Sequence, residues 1–175
     1  MTNTASEKYY LTHIDFSFPD EYQIHDASQE KIVYRAHAKP ISFGKTFQIL
    51  DEDKKVYLEI HHKMISNKAK YDFKREGAVV SNLVQPFDRF SRLEADGAAG
   101  KFILEAQTSG SGRSHTWLIT DSAMKMQAEI CRVDLTTARY SIAVCEDADL
   151  QLMLAFAIVL CEILGFGPVS SNPPR

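Results

Sequence analysis

The chain has no apolar run long enough to cross a bilayer. Its longest, LQLMLAFAIVLCEIL from Leu150 to Leu164, is interrupted only by Gln151 and Glu162. As a helix it would measure roughly 22 Å, short of the ~20 residues that a hydrocarbon core demands. Cysteine is scarce, with only Cys131, Cys145 and Cys161 and no CxxC spacing. That argues against a disulfide framework, and each of the three sits in an apolar segment, as a reduced core residue of a cytosolic protein does. The start, MTNTASEKYYLTHIDF, lacks the basic and then apolar pattern of a secretory signal. Catalytic signatures are missing too: there is no nucleophile elbow, phosphate-binding P-loop, dinucleotide fingerprint or HExxH helix. Ser109-Gly110-Ser111-Gly112-Arg113 looks like a glycine-rich phosphate loop but lacks the Lys-Ser/Thr pair that must follow, so it is read as a solvated loop. A net charge of −3 over 175 residues is too small to name a partner.

What is present is a period of two. From Ile32 the chain alternates as half-buried strands do, with IVYRA at 32–36, KTFQIL at 45–50 and KVYLEIH at 55–61. In the last pair Phe47, Ile49, Val56, Leu58 and Ile60 are expected on the core face, and Gln48, Lys55, Glu59 and His61 on the other. The pattern returns 70 residues later: Trp117, Ile119, Asp121, Lys125, Glu129 and Ile130 stand where Phe47, Ile49, Asp51, Lys55, Glu59 and Ile60 stood. A weaker copy follows Tyr71, pairing Phe73, Val80 and Val84 with Ile49, Val56 and Ile60. Tyr140 opens a last copy. RFSRLEA and KFILEA flank a glycine-bearing turn at Asp96–Gly100, a further hairpin. About ten strands result, a meander built by one rule.

The 150–164 run is apolar on every side, the mark of a helix with no solvent face. Asp147 or Asp149 can cap it, and Gly165, Gly167 and Pro168 end it. A sheet closed around that helix buries both the helix and the inner face of every strand. Residues 1–30 are expected as an aromatic arm against the domain, 31–165 as the barrel with its helix at about 148–164, and 166–175 as a flexible tail.

The FQILDEDKKVYLEIHHK and WLITDSAMKMQAEICR hairpins, the RYSIAV strand and the closing helix DLQLMLAFAIVLCEIL resemble the LURP-one-related proteins of the Tubby C-terminal-like superfamily, which also holds the phospholipid scramblases. The resemblance spans about residues 32–164. It implies a mainly β fold, a closed antiparallel barrel of about twelve strands around a buried hydrophobic C-terminal helix. It implies no settled activity. The scramblases' calcium segment does not carry over, because Glu146-Asp147-Ala148-Asp149 lacks the ligand spacing of a calcium loop. Tubby proteins bind phosphoinositides through basic side chains on the barrel wall, and those positions have no residue-by-residue match here.

Charge is concentrated in one place. Residues 54–75 hold seven bases, Lys54, Lys55, Lys63, Lys68, Lys70, Lys74 and Arg75, against Glu59 and Asp72. Lysines decorating exposed strands and protecting their edges account for such a stretch. The functional alternative is an anionic-lipid site made of Lys63, Lys68, Lys70, Lys74 and Arg75. Nucleic acid does not fit, since aromatics are not interleaved on the outer face and the overall charge is negative. His61 and His62 are adjacent and on a strand face opposite sides, so they do not share a metal. With His13, His25, His37 and His115 they are read as surface or turn histidines. The reading is a non-enzymatic, cofactor-free and metal-free cytoplasmic monomer, peripheral at a membrane, that binds anionic phospholipid such as phosphoinositide. The alternatives are a protein-interaction or signalling adaptor working through the aromatic arm and, last, an enzyme with an unrecognised site.

Overall fold

The computed structural model describes residues 6–14, 20–39, 44–65, 68–85, 91–107, 116–133 and 139–164. Twelve strands precede one helix: β1 (Ser6–Ile14), β2 (Glu21–His25), β3 (Ile32–Ala38), β4 (Thr46–Asp51), β5 (Val56–Ile65), β6 (Lys68–Arg75), β7 (Ala78–Gln85), β8 (Arg92–Asp96), β9 (Phe102–Gln107), β10 (Thr116–Asp121), β11 (Met126–Arg132), β12 (Arg139–Cys145) and α1 (Leu150–Leu164). Each strand pairs antiparallel with its neighbours in sequence, and β1 closes the ring by pairing with β12. The apolar run accordingly fills the tube: every residue from Leu152 to Leu160 is at most 2% exposed. Phe156 sits mid-helix, edge-on to Phe73 at 5.0 Å and to Phe102 at 5.5 Å between ring centroids.

The stretch expected as an arm is part of the wall. Tyr9 and Leu11 of β1 face Ile142 and Tyr140 of β12 in register, and Tyr22 and Ile24 of β2 are buried. Aromatic and aliphatic residues alternate here too, but Tyr10 stands between the inward Tyr9 and Leu11 and hides the period. With these two strands the ring has twelve staves. The SGSG loop, His115 and the 166–175 tail lie outside the described residues.

The matching hairpins agree to the level of single atoms. Asp51 N–H bonds Lys55 O at 3.1 Å, and Asp121 N–H bonds Lys125 O at 3.0 Å. Each aspartate Oδ1 also accepts from that lysine's backbone N–H, at 2.9 and 3.0 Å. Lys54 and Met124 hold the same left-handed turn position, with φ of 60° and 61°. A bulge follows Ile49 in one hairpin and Ile119 in the other. That extra residue shifts the phase, so Val56, expected inside, is 41% exposed, as is its counterpart Met126 at 45%. Val84, the counterpart of Ile60, also points outward, because the turn between β6 and β7 is one residue shorter: Phe73 faces Ser81, eight positions on, where Ile49 faces Leu58, nine positions on.

These turns lie at one end of the barrel, called the turn end, where α1 begins. Asp149 caps it, its Oδ1 accepting from Leu152 N–H at 3.2 Å. The helix starts at Leu150, two residues later than expected, because Asp149 occupies the capping position. At the opposite end, called the loop end, α1 finishes among the longer connections.

Candidate functional site

Alternation along β6 turns Ala69, Tyr71 and Phe73 into the core, so Lys68, Lys70, Asp72 and Lys74 belong to the outer face. On β5, Lys63 stands opposite Lys70 and His61 opposite Asp72. The Lys63 ammonium donates to Asp72 Oδ2 at 2.8 Å, and Lys70 Nζ lies 3.4 Å from Oδ1. Burial acts to raise the Asp72 carboxyl, but the two lysines overcome it and hold it below its ordinary value. One row away Glu59 accepts hydrogen bonds from Lys39 at 2.9 Å, Gln48 at 2.6 Å and His61 at 3.0 Å. Those bonds bring it down to about 2.

Four of the five expected site residues thus share one wall. Lys63 and Lys70 are engaged by Asp72, while Lys68 and Lys74 have no ion pair among the described residues. Arg75 does not join them. At the turn end its guanidinium donates to both oxygens of the capping Asp149, at 2.9 and 3.0 Å. Lys39, which lies outside the basic stretch, completes the face: five lysines stand against Glu59 and Asp72. The spacing Lys68-x-Lys70-x-Asp72-x-Lys74 already announced the shared face and the internal counter-ion; a charge count over the stretch does not separate engaged bases from free ones.

The family model for LURP-one-related proteins matches residues 7–161. The chain belongs to the LURP-one-related family. The fold agrees: an X-ray structure of a protein from Arabidopsis thaliana superposes with a TM-score of 0.61 at 10% identity, covering 92% of this chain and 94% of that one. No curated protein matches the chain in sequence.

At the loop end of this LURP-one-related barrel a second polar cluster gathers round the single charge on α1. Glu162 accepts from Tyr22 Oη at 2.6 Å and from Lys45 Nζ at 2.7 Å, and Lys45 also reaches Asp20 at 2.7 Å. His62 points inward and stacks on Tyr71 at 4.6 Å, while His61 points out to Glu59, as their adjacency on a strand requires. His13, His25 and His37 also lie on strands rather than in turns. Burial, then Glu162, raises the phenols of Tyr22 and Tyr71, the latter to about 12. Burial also raises the Cys161 thiol and lowers His62. Every one of these shifts favours the uncharged form, so none readies a nucleophile. Among the described residues, no group of three or more His, Cys, Asp or Glu is placed to hold a metal ion. Nor is any described helix long and apolar enough to cross a membrane.

Proposed function

We propose that this LURP-one-related barrel is a non-enzymatic module that docks on anionic phospholipid, phosphoinositide included, through the outer face of β5 and β6. The observation that carries the reading is the excess of lysine on one wall: Lys68 and Lys74 lack ion pairs among the described residues, and Lys63 and Lys70 share a single carboxylate. A base near an anionic surface is worth about 1 kcal/mol, and the cytoplasmic leaflet is where such lipid collects. Three free cysteines fit a reducing compartment of that kind. Arg75, committed to Asp149, drops out of the proposed site.

The test is cosedimentation with phosphoinositide-containing vesicles over a salt series. Binding that weakens with salt, and that Lys63→Glu with Lys74→Glu reduces on the order of ten- to a hundredfold, supports the proposal. Equal binding by that variant, with its melting temperature unchanged, refutes it. Against the adaptor alternative, β1 pairs along both edges, with β12 and with β2, so a partner could not join it by adding a strand.

A further inference from the structure

We propose that a trough on the outer wall over β7, which shares Lys68 with the lysine wall, is a dipolar site for a phosphate joined by two carbons to a primary ammonium, the chemistry of an ethanolamine-type headgroup. Within the trough β7 contributes Asn82 and Val84, between longer charged side chains on β6 and β8. Strands about 4.8 Å apart set those two walls roughly 10 Å from one another. The trough holds about 760 Å³ and is lined by Lys68, Asn82, Val84, Arg92, Glu94 and Asp96.

Its charges are sorted by sign along the barrel axis. Glu94 registers with Val84, and Asp96 with Asn82, while Lys68 and Arg92 begin their strands at the loop end. Among the lining residues the order from the loop end is therefore two cations, then one carboxylate, then another, in rows about 6.6 Å apart. Lys70, which shares the Glu94 row from β6, is paired instead with Asp72 at 3.4 Å. A phosphate between Lys68 and Arg92 leaves its ammonium about one row further on, at Glu94. The groups are held only weakly: Asp96 meets Lys101 at 3.6 Å in an exposed pair. Lys68 has no ion pair and Asn82 no side-chain hydrogen bond among the described residues. Arg92 only grazes Glu94 at 3.4 Å and Glu105 at 3.7 Å, exposed contacts of little strength. Gly97 closes the far end: a Cβ there would lie 2.6 Å from Val80 O, so the turn rests directly on β7.

Exposed, weakly held carboxylates distinguish this trough from the lysine wall on β5 and β6, where Glu59 and Asp72 are taken up by Lys39, Lys63 and Lys70. An inositol phosphate has no cation to offer Glu94 and Asp96. A choline cation has no N–H to donate to them. Because a lipid's tails join its phosphate, the order of charges points the tails toward the loop end of the docked wall. That orientation rests on the membrane-docking proposal; the chemistry of the trough does not.

The experiment compares full-length chain on vesicles of phosphatidylcholine and of phosphatidylcholine mixed equally with phosphatidylethanolamine, both without net charge. About tenfold tighter binding to the ethanolamine vesicles is expected, roughly one charge-assisted hydrogen bond. Glu94→Gln with Asp96→Asn should abolish that preference and leave salt-sensitive binding to anionic vesicles unchanged. Measurable but equal binding to the two neutral vesicles, a preference that survives the double variant, or no response to either vesicles or soluble phosphoethanolamine overturns the inference. Soluble phosphoethanolamine separates the two proposals. If it shifts the amide resonances of Lys68, Asn82 and Arg92, and phosphocholine does not, while no vesicle is bound, the trough stands and membrane docking fails. If anionic vesicles bind and phosphoethanolamine shifts nothing, the reverse holds.

Discussion

At the turn end, α1 begins under a cap from its own sequence, Asp149, with Arg75 clamped on that cap. At the loop end it finishes with Glu162 tied to Tyr22 and Lys45, residues 140 and 117 positions away. The same helix therefore carries a cap from its own sequence where it enters the barrel, reinforced from β6 by Arg75, and has only long-range partners for Glu162 where it leaves. Local devices, a cap or a tight turn, need only a few neighbouring residues and form with them. The Glu162 latch exists only after the ring has closed, because Tyr22 reaches it from a strand near the opposite end of the chain. Glu162 places a charge beside a buried phenol, and it is tolerated because Lys45 and Tyr22 satisfy both of its oxygens.

The largest expected effect breaks both ends together. Phe156→Ala removes the ring that meets Phe73 and Phe102 midway along the helix, and it should cost about 3–5 kcal/mol in urea unfolding. A loss under about 1 kcal/mol would mean that the helix is not the core of the barrel. Next comes Glu162→Gln, which keeps the shape and removes the charge. About 1–3 kcal/mol should go, and amide exchange should quicken over the last turn of α1 alone. Uniform acceleration along the helix would show the latch to be no local anchor. Asp149→Ala tests the other end at about 1 kcal/mol, with faster exchange confined to the first turn.

The smallest effect is acid. Burial holds His62 below its ordinary value, with Glu162 pulling it up and Lys45 pushing it down. The unfolded ring takes its proton first, so this contribution is complete above about pH 6.5 and fades as pH falls toward the folded value. A melting temperature that drops between neutral pH and mild acid, and drops less in His62→Phe, is the expected result. An identical slope in both proteins would remove His62 from the account.

Much of the wall could be read from period and turn chemistry. The two Asp-x-x-x-Lys hairpins recur as written, down to the left-handed residue before each lysine, because a turn is decided by the few residues inside it. Val56 shows where such reading stops: one bulge moved it from core to solvent, and a bulge is settled by pairing with the partner strand. The candidate site divides along the same line. Lys63, Lys68, Lys70 and Lys74 were legible as a basic stretch, whereas the loss of Arg75 to Asp149 depended on a contact 74 positions long. The trough over β7 leaves no signature in the sequence, since Lys68, Asn82 and Arg92 come from three strands and share no motif.

The order of apolar and polar residues by itself determined that there would be antiparallel hairpins and a helix with no wet face. It also required a closed sheet, because only closure buries such a helix on all sides. The tertiary structure alone decided that residues 6–14 would complete the ring, which lysines would keep their charge unspent, and how the helix would be held where it emerges. Those outcomes depend on which distant side chains meet, and period and composition record only neighbours along the chain.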